Sequence, residues 1–166
     1  MPEAWLNFII VILAQLFLFV ICAYYEKNLS KVPSILGWGV LIGIVIGVPF
    51  DFVVGKFFGL HSFTLGFGLF FLIINATFSY GLFASNILTL QHVRLTHFIF
   101  WNIMIVTVYE IINSFFPVWT WEFVLSPIEF MIVLLVGYLM GAILIAVISH
   151  IFLGRRFFFI DDLLNK

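Results

Sequence analysis

The chain has 166 residues, 64% hydrophobic and 9% charged, with a formal net charge of −1. A soluble domain of that size cannot hide so much apolar surface, and so balanced a charge leaves no electrostatic footprint for nucleic acid. The lone Cys22 excludes an intramolecular disulfide and reads as a small hydrophobe in an apolar run.

Long runs almost free of charge match membrane-spanning helices, which need roughly 20 apolar residues each. The first, "MPEAWLNFIIVILAQLFLFVICAYY", carries Glu3 with no Lys or Arg ahead of the apolar run. No small-x-small cleavage site follows, so it reads as a retained helix rather than a signal peptide. Five spans are predicted, at about 4–25, 33–57, 63–88, 96–116 and 127–153, in one polytopic domain over 1–153. The breaks between them, "EKNLSKVP", "FFGLHSF", "TLQHVRLT" and "FPVWTWEFVLSP", carry turn formers, charge or interfacial aromatics. The tail over 154–166 is expected to lie along the inner membrane surface. Arg155 and Arg156 would reach lipid phosphates while Phe157, Phe158 and Phe159 sink into the interface.

Five spans put Lys27, Lys31, Arg94, Arg155, Arg156 and Lys166 on one side and Lys56 on the other. The positive-inside rule then places the N-terminus outside and the C-terminus in the cytoplasm of a cell membrane, bacterial or archaeal.

Within the second span, Gly39, Gly43, Gly47, Asp51 and Gly55 recur every four residues. That stripe lets another backbone approach and turns Asp51 toward a neighbouring helix, while Pro49 kinks the span just before it. Asp51 is either a buried structural acid or a functional one. Glu110 lies about two turns inside the fourth span, on a face shared with Thr107 and with Asn113 or Ser114. A carboxylate there must face protein, pair, or stay protonated, so structural and chemical roles both stay open. Glu129 sits in "SPIE", where Ser126 is a good N-cap and Pro127 suits the first helical position. The structural reading of Glu129 is therefore a capping box. All three acids fall in the outer half of the membrane, near Phe57, Phe58, Phe63, Phe115, Phe116, Trp119 and Trp121. Those rings are either an interfacial belt or the lining of a shared site.

Asn75 and Asn102 read as interhelical hydrogen-bond partners and as the sole polar continuation inward from Glu110. No metal-ligand spacing, phosphate loop or serine nucleophile motif occurs, so neither metal nor cofactor is expected.

The chain also repeats. "PFDFVVGKFFGLHSFTLGFGLFFLII" can be laid on "VYEIINSFFPVWTWEFVLSPIEFMIVLL" with one gap, Asp51 opposite Glu110 and "FFGLHSF" opposite "FFPVWTW". The expected fold is thus an all-α integral membrane protein of about five helices, two parallel hairpin repeats plus an extra N-terminal helix.

The stretch from Val108 to Leu135 resembles the hairpin of the membrane lycopene cyclase domain. That pattern runs aromatic-Asp, a spacer, Gly-x-Trp, another spacer, then Pro-hydrophobic-Glu-Glu and a Phe-rich helix. Tyr109-Glu110 stands at the aromatic-Asp, Trp119 or Trp121 at the Trp, and Pro127-Ile128-Glu129 at Pro-x-Glu. Phe130 replaces the second Glu, and the first copy has Phe70 and Phe71 where the Pro-x-Glu-Glu would fall. The resemblance implies binding or redox-neutral cyclisation of a polyisoprenoid, with Glu110 as proton donor and Asp51 or Glu129 orienting it or taking the proton back. Phe57, Phe58, Phe115, Phe116, Trp119 and Trp121 would line the substrate and stabilise a carbocation. Two other classes stand beside it. One is a non-catalytic subunit that packs on lipid, on a membrane partner or on its own copy through glycine-rich faces, including Gly137-x-x-x-Gly141. The other is a small proton-coupled transporter.

The basic asymmetry makes a direct prediction. A cysteine placed in the tail should resist an impermeant thiol reagent applied to intact cells, and one placed beside His61 should react. A labelled tail would reverse the topology.

Overall fold

A computed structural model describes residues 2–66, 68–122 and 125–164, with the side chains of residues 163 and 164 excepted. Five helices are long and apolar enough to cross a membrane: α1 (Pro2–Tyr25), α2 (Leu29–Phe57), α3 (Leu69–Thr89), α4 (Leu95–Phe115) and α5 (Pro127–Leu153). A short α6 (Phe158–Leu164) follows. The chain is thus a predominantly helical protein with the composition of a multi-pass membrane protein.

The helix bounds fall close to those read from the sequence, except at the start of the third span. Residues 61–63, taken in part as helix, form β1 (His61–Phe63), which pairs antiparallel with β2 (Trp119–Trp121). The register sets His61 opposite Trp121, Ser62 opposite Thr120 and Phe63 opposite Trp119. Gly66, at φ 76°, makes the turn after β1 and delays the helix until Leu69. Apolar periodicity does not distinguish three residues of ribbon from the first turn of a helix. The ribbon joins the α2–α3 and α4–α5 connections at one end of the bundle. The opposite, basic end carries Lys27, Lys31, Arg94, Arg155 and Arg156.

Helix α2 is not a uniform α-helix. It widens into π-helical turns at Gly43–Gly47 and Asp51–Phe57, on either side of Pro49. Proline lacks the N–H that an α-turn needs, and a local shift to wider hydrogen bonds absorbs the loss. Helix α3 has a matching π segment at Ala76–Tyr80, and it faces the first of the two in α2.

The glycine stripe is where these two helices meet. A Cβ on Gly43 would lie 2.5 Å from the Ala76 carbonyl oxygen and 2.7 Å from Gly81 Cα. On Gly47 it would meet the Tyr80 ring at 2.7 Å. The α2–α3 contact therefore depends on missing side chains, as in tightly crossed membrane helices. Gly137 and Gly141 of α5 differ, because nothing lies within 4 Å of a Cβ on either.

Two of the three tail aromatics depart from expectation. Phe157 and Phe159 do not enter the lipid interface but join the main core, at 0% and 3% exposure. Phe159 packs on Phe98 at 4.5 Å between centroids, and the Phe158 N–H donates to the Gln91 carbonyl. Of the three rings only Phe158 is exposed. Arg155 is likewise held by the chain itself, donating to Ser34 Oγ at 3.1 Å and lying over Trp38.

Gly43→Ala should destabilise the protein by about 1–3 kcal/mol, since the added methyl meets backbone that cannot yield. Gly137→Ala should be neutral or stabilising by up to about 1 kcal/mol, because only the helical entropy of glycine changes. Unfolding midpoints in detergent measure both, and equal effects would contradict the packing described.

Candidate functional site at the ribbon end

Asp51 is completely buried. The π-helical turn that begins there presents its carboxyl to α3 and the ribbon. Tyr80 Oη donates to Oδ1 at 2.5 Å, and Asn75 Nδ2 donates to Oδ2 at 3.2 Å. His61 Nε2 lies 3.2 Å from Oδ1. Three groups from two elements thus converge on one acid, which meets the requirement that a buried charge or carboxyl be fully bonded. Lys56 is not among them; it lies over the Phe52 ring.

Glu110 is only partly buried. Tyr138 Oη of α5 donates to Oε1 at 3.0 Å, and the Trp121 indole N–H points to the same oxygen at 3.4 Å. Asn113, one turn farther on, holds the ribbon in place. Its Oδ1 accepts from the backbone N–H of Val118 and Trp119, and its Nδ2 donates to the Trp119 carbonyl. The shared face of Glu110 and Asn113 is thus real, but the amide positions β2 rather than the acid.

The two acids are joined through the ribbon. His61, bonded to Asp51, and Trp121, bonded to Glu110, are cross-strand partners with ring centroids 5.4 Å apart. Asp51 and Glu110 therefore belong to one continuous polar and aromatic assembly.

Glu129 stands apart from it. Its Oε2 accepts from Ser126 N–H at 3.0 Å and Ser126 Oγ at 2.6 Å, and Ser126 Oγ accepts from Glu129 N–H. This is the capping box read from "SPIE", exposed at the start of α5. Among the aromatics, Trp119 is buried against Val118 and Phe63, and Trp121 is half-buried. Phe57, Phe58, Phe115 and Phe116, at the ends of α2 and α4 that lead into the ribbon, are exposed, at 76%, 62%, 75% and 37%.

Sequence reasoning did not single out His61, Tyr80 or Tyr138. A signal was present, since Tyr80 and Tyr138 occupy the same place once "FFGLHSF" is laid on "FFPVWTW". The polar interior was also underestimated. Asn75 is spent on Asp51, and a separate seam runs from Tyr109 through Asn86 and Thr89 to Cys22. Asn86 Nδ2 donates to Tyr109 Oη at 3.1 Å, and Thr89 Oγ1 lies 3.0 Å from Cys22 Sγ. Asn102 is fully buried, and neither atom of its amide finds a partner among the described residues. Among the described residues no group of three or more His, Cys, Asp or Glu side chains is placed to hold a metal.

No family model, curated protein or solved structure matches the chain.

Asp51→Ala should cost about 3 kcal/mol or more, since it strands several buried polar groups at once. Ser126→Ala, at an exposed cap, should lower the thermal midpoint only slightly. Thermal unfolding in detergent ranks the two, and a larger loss at Ser126 would overturn the assignment of Asp51 as the anchor.

Proposed function

We propose that the protein takes a polyisoprenoid of carotenoid type from the membrane and binds or cyclises its end group at Glu110. One observation carries the reading: the two acids are held in the same way by the two hairpins. Asp51 accepts from Tyr80, 29 residues later, and Glu110 accepts from Tyr138, 28 residues later. The difference is the single gap in the repeat. The ribbon supports the same relation, because matching segments pair antiparallel about Ser62 and Thr120. An axis through that pair, along the bundle, would relate α2–α3 to α4–α5 as parallel repeats, with α1 extra.

On this reading the copies have diverged. Asp51 is enclosed and serves as the anchor. Glu110, partly exposed and gripped by an indole and a phenol, is the acid a substrate can reach. The neutral carboxyl protonates a terminal carbon–carbon double bond. An adjacent double bond attacks the cation, closes the ring and moves the charge. A carboxylate then removes a proton, forming the ring double bond, so the substrate is isomerised without net gain or loss of electrons or protons. Faces of Trp121, Tyr138, Phe57, Phe58, Phe115 and Phe116 would shield the cation. Glu129, bound to its own cap, would not take part. The outer-leaflet position of the site follows from the basic asymmetry.

Specific observations favour each of the other readings. The open Gly137 and Gly141 face of α5 suits a subunit that packs against another membrane helix. The buried seam from Tyr109 to Cys22 suits a proton-coupled transporter.

Expression in cells that accumulate a linear carotene, followed by chromatography of the pigments, tests the proposal. The wild type should yield cyclic end groups, or at least purify with bound polyene. Glu110→Gln should abolish ring formation, because it keeps the shape but has no acidic proton, while the protein still folds. Neither product nor bound polyene from the folded wild type would reject the reading, and proton-linked flux in liposomes would replace it with the transporter.

A further inference from the structure

At the opposite end of the bundle, between the end of α5 and the start of α6, lies an open cleft of about 610 Å³, lined by His150, Gly154, Arg156 and Asp161. We infer that this cleft holds the headgroup of an anionic glycerophospholipid, with the phosphate on Arg156 and the headgroup hydroxyls on Asp161.

The two neighbouring arginines make the case. Arg155 is committed within the chain, to Ser34 and Trp38. Arg156 is exposed, lines the cleft and takes part in no ion pair among the described residues. A guanidinium offers a fork of donors suited to phosphate oxygens. His150 Nε2 lies 3.8 Å from Asp161 Oδ1, so the imidazole stands beside that carboxylate as part of the wall. Asp161 offers acceptors suited to hydroxyl groups and works against a ligand that is anionic throughout.

Position selects a lipid over a soluble phosphate. Gly154, at φ 61°, ends the spanning helix beside the cleft. Ile151 and Phe152, in the last turn of α5, are 64% and 77% exposed and offer acyl chains an apolar bed next to the polar cleft. Phe157 and Phe159, buried in the core, fix α6 as the far wall. A cleft of this volume is in the range of small-ligand sites, roughly 300–1,000 Å³.

Native mass spectrometry of the delipidated full-length protein, titrated with dioleoyl phosphatidylglycerol or dioleoyl phosphatidylcholine, tests the inference. Phosphatidylglycerol should bind at least about fivefold more tightly. Arg156→Gln, at an exposed position, should erase that preference, and Lys56→Gln at the far end should leave it intact. Millimolar inorganic phosphate or glycerol 3-phosphate should not displace the lipid. Equal affinity for the two lipids, or an Arg156→Gln variant that binds like wild type, would overturn the site. Displacement by inorganic phosphate would overturn its assignment to lipid. None of these results depends on whether Glu110 acts on a polyisoprenoid.

Discussion

An acid enclosed in an apolar bundle must have every oxygen bonded, and Asp51 imposes that condition on its surroundings. Tyr80 and Asn75 can reach it only if α3 lies almost in backbone contact with α2. That closeness requires glycine at 39, 43 and 47, where a side chain would collide with the facing helix. His61 can reach it only from a strand laid across the end of the bundle, and the strand needs a partner, which Trp119–Trp121 supplies. The glycine seam, the π-helical turns and the ribbon are one connected solution to the placement of a single carboxyl group.

Burial separates the two acids chemically. Around Asp51 three polar groups converge and no surface remains open, an arrangement that resists change. Glu110 has two donors on one oxygen and keeps part of its surface exposed. Each acid accepts from a phenol, Tyr80 or Tyr138, and the other partners differ, His61 and Asn75 at Asp51 and Trp121 at Glu110. The cleft at the basic end extends the polarity of the molecule. One end concentrates carboxyls and aromatics, and the other concentrates basic side chains.

Several features were legible in the sequence because they depend on local chemistry. Spans appear as apolar runs, and the capping box at Ser126 and Glu129 appears as a four-residue pattern whose partners are neighbours in the chain. The spacing of Gly39, Gly43 and Gly47 identified a helix face made for close approach. The ribbon was hidden, because "HSF" and "WTW" are too short and too apolar to show a strand period. The fate of Phe157 and Phe159 was hidden as well. An aromatic residue beside arginine reads equally as a lipid anchor or as a core residue, and only the shape of the cavity it meets decides.

By itself the sequence determined what each segment is: five apolar helices, a charge asymmetry between the two ends, a glycine face on α2 and a capped start to α5. These follow from solvation and local hydrogen bonding, which act along the chain. Tertiary structure alone decided which polar groups meet. Asp51 lies 24 residues from Asn75 and Glu110 lies 28 from Tyr138. No rule of local spacing joins them. They meet because a carboxyl withdrawn from water must find its donors wherever the folded chain brings them within reach.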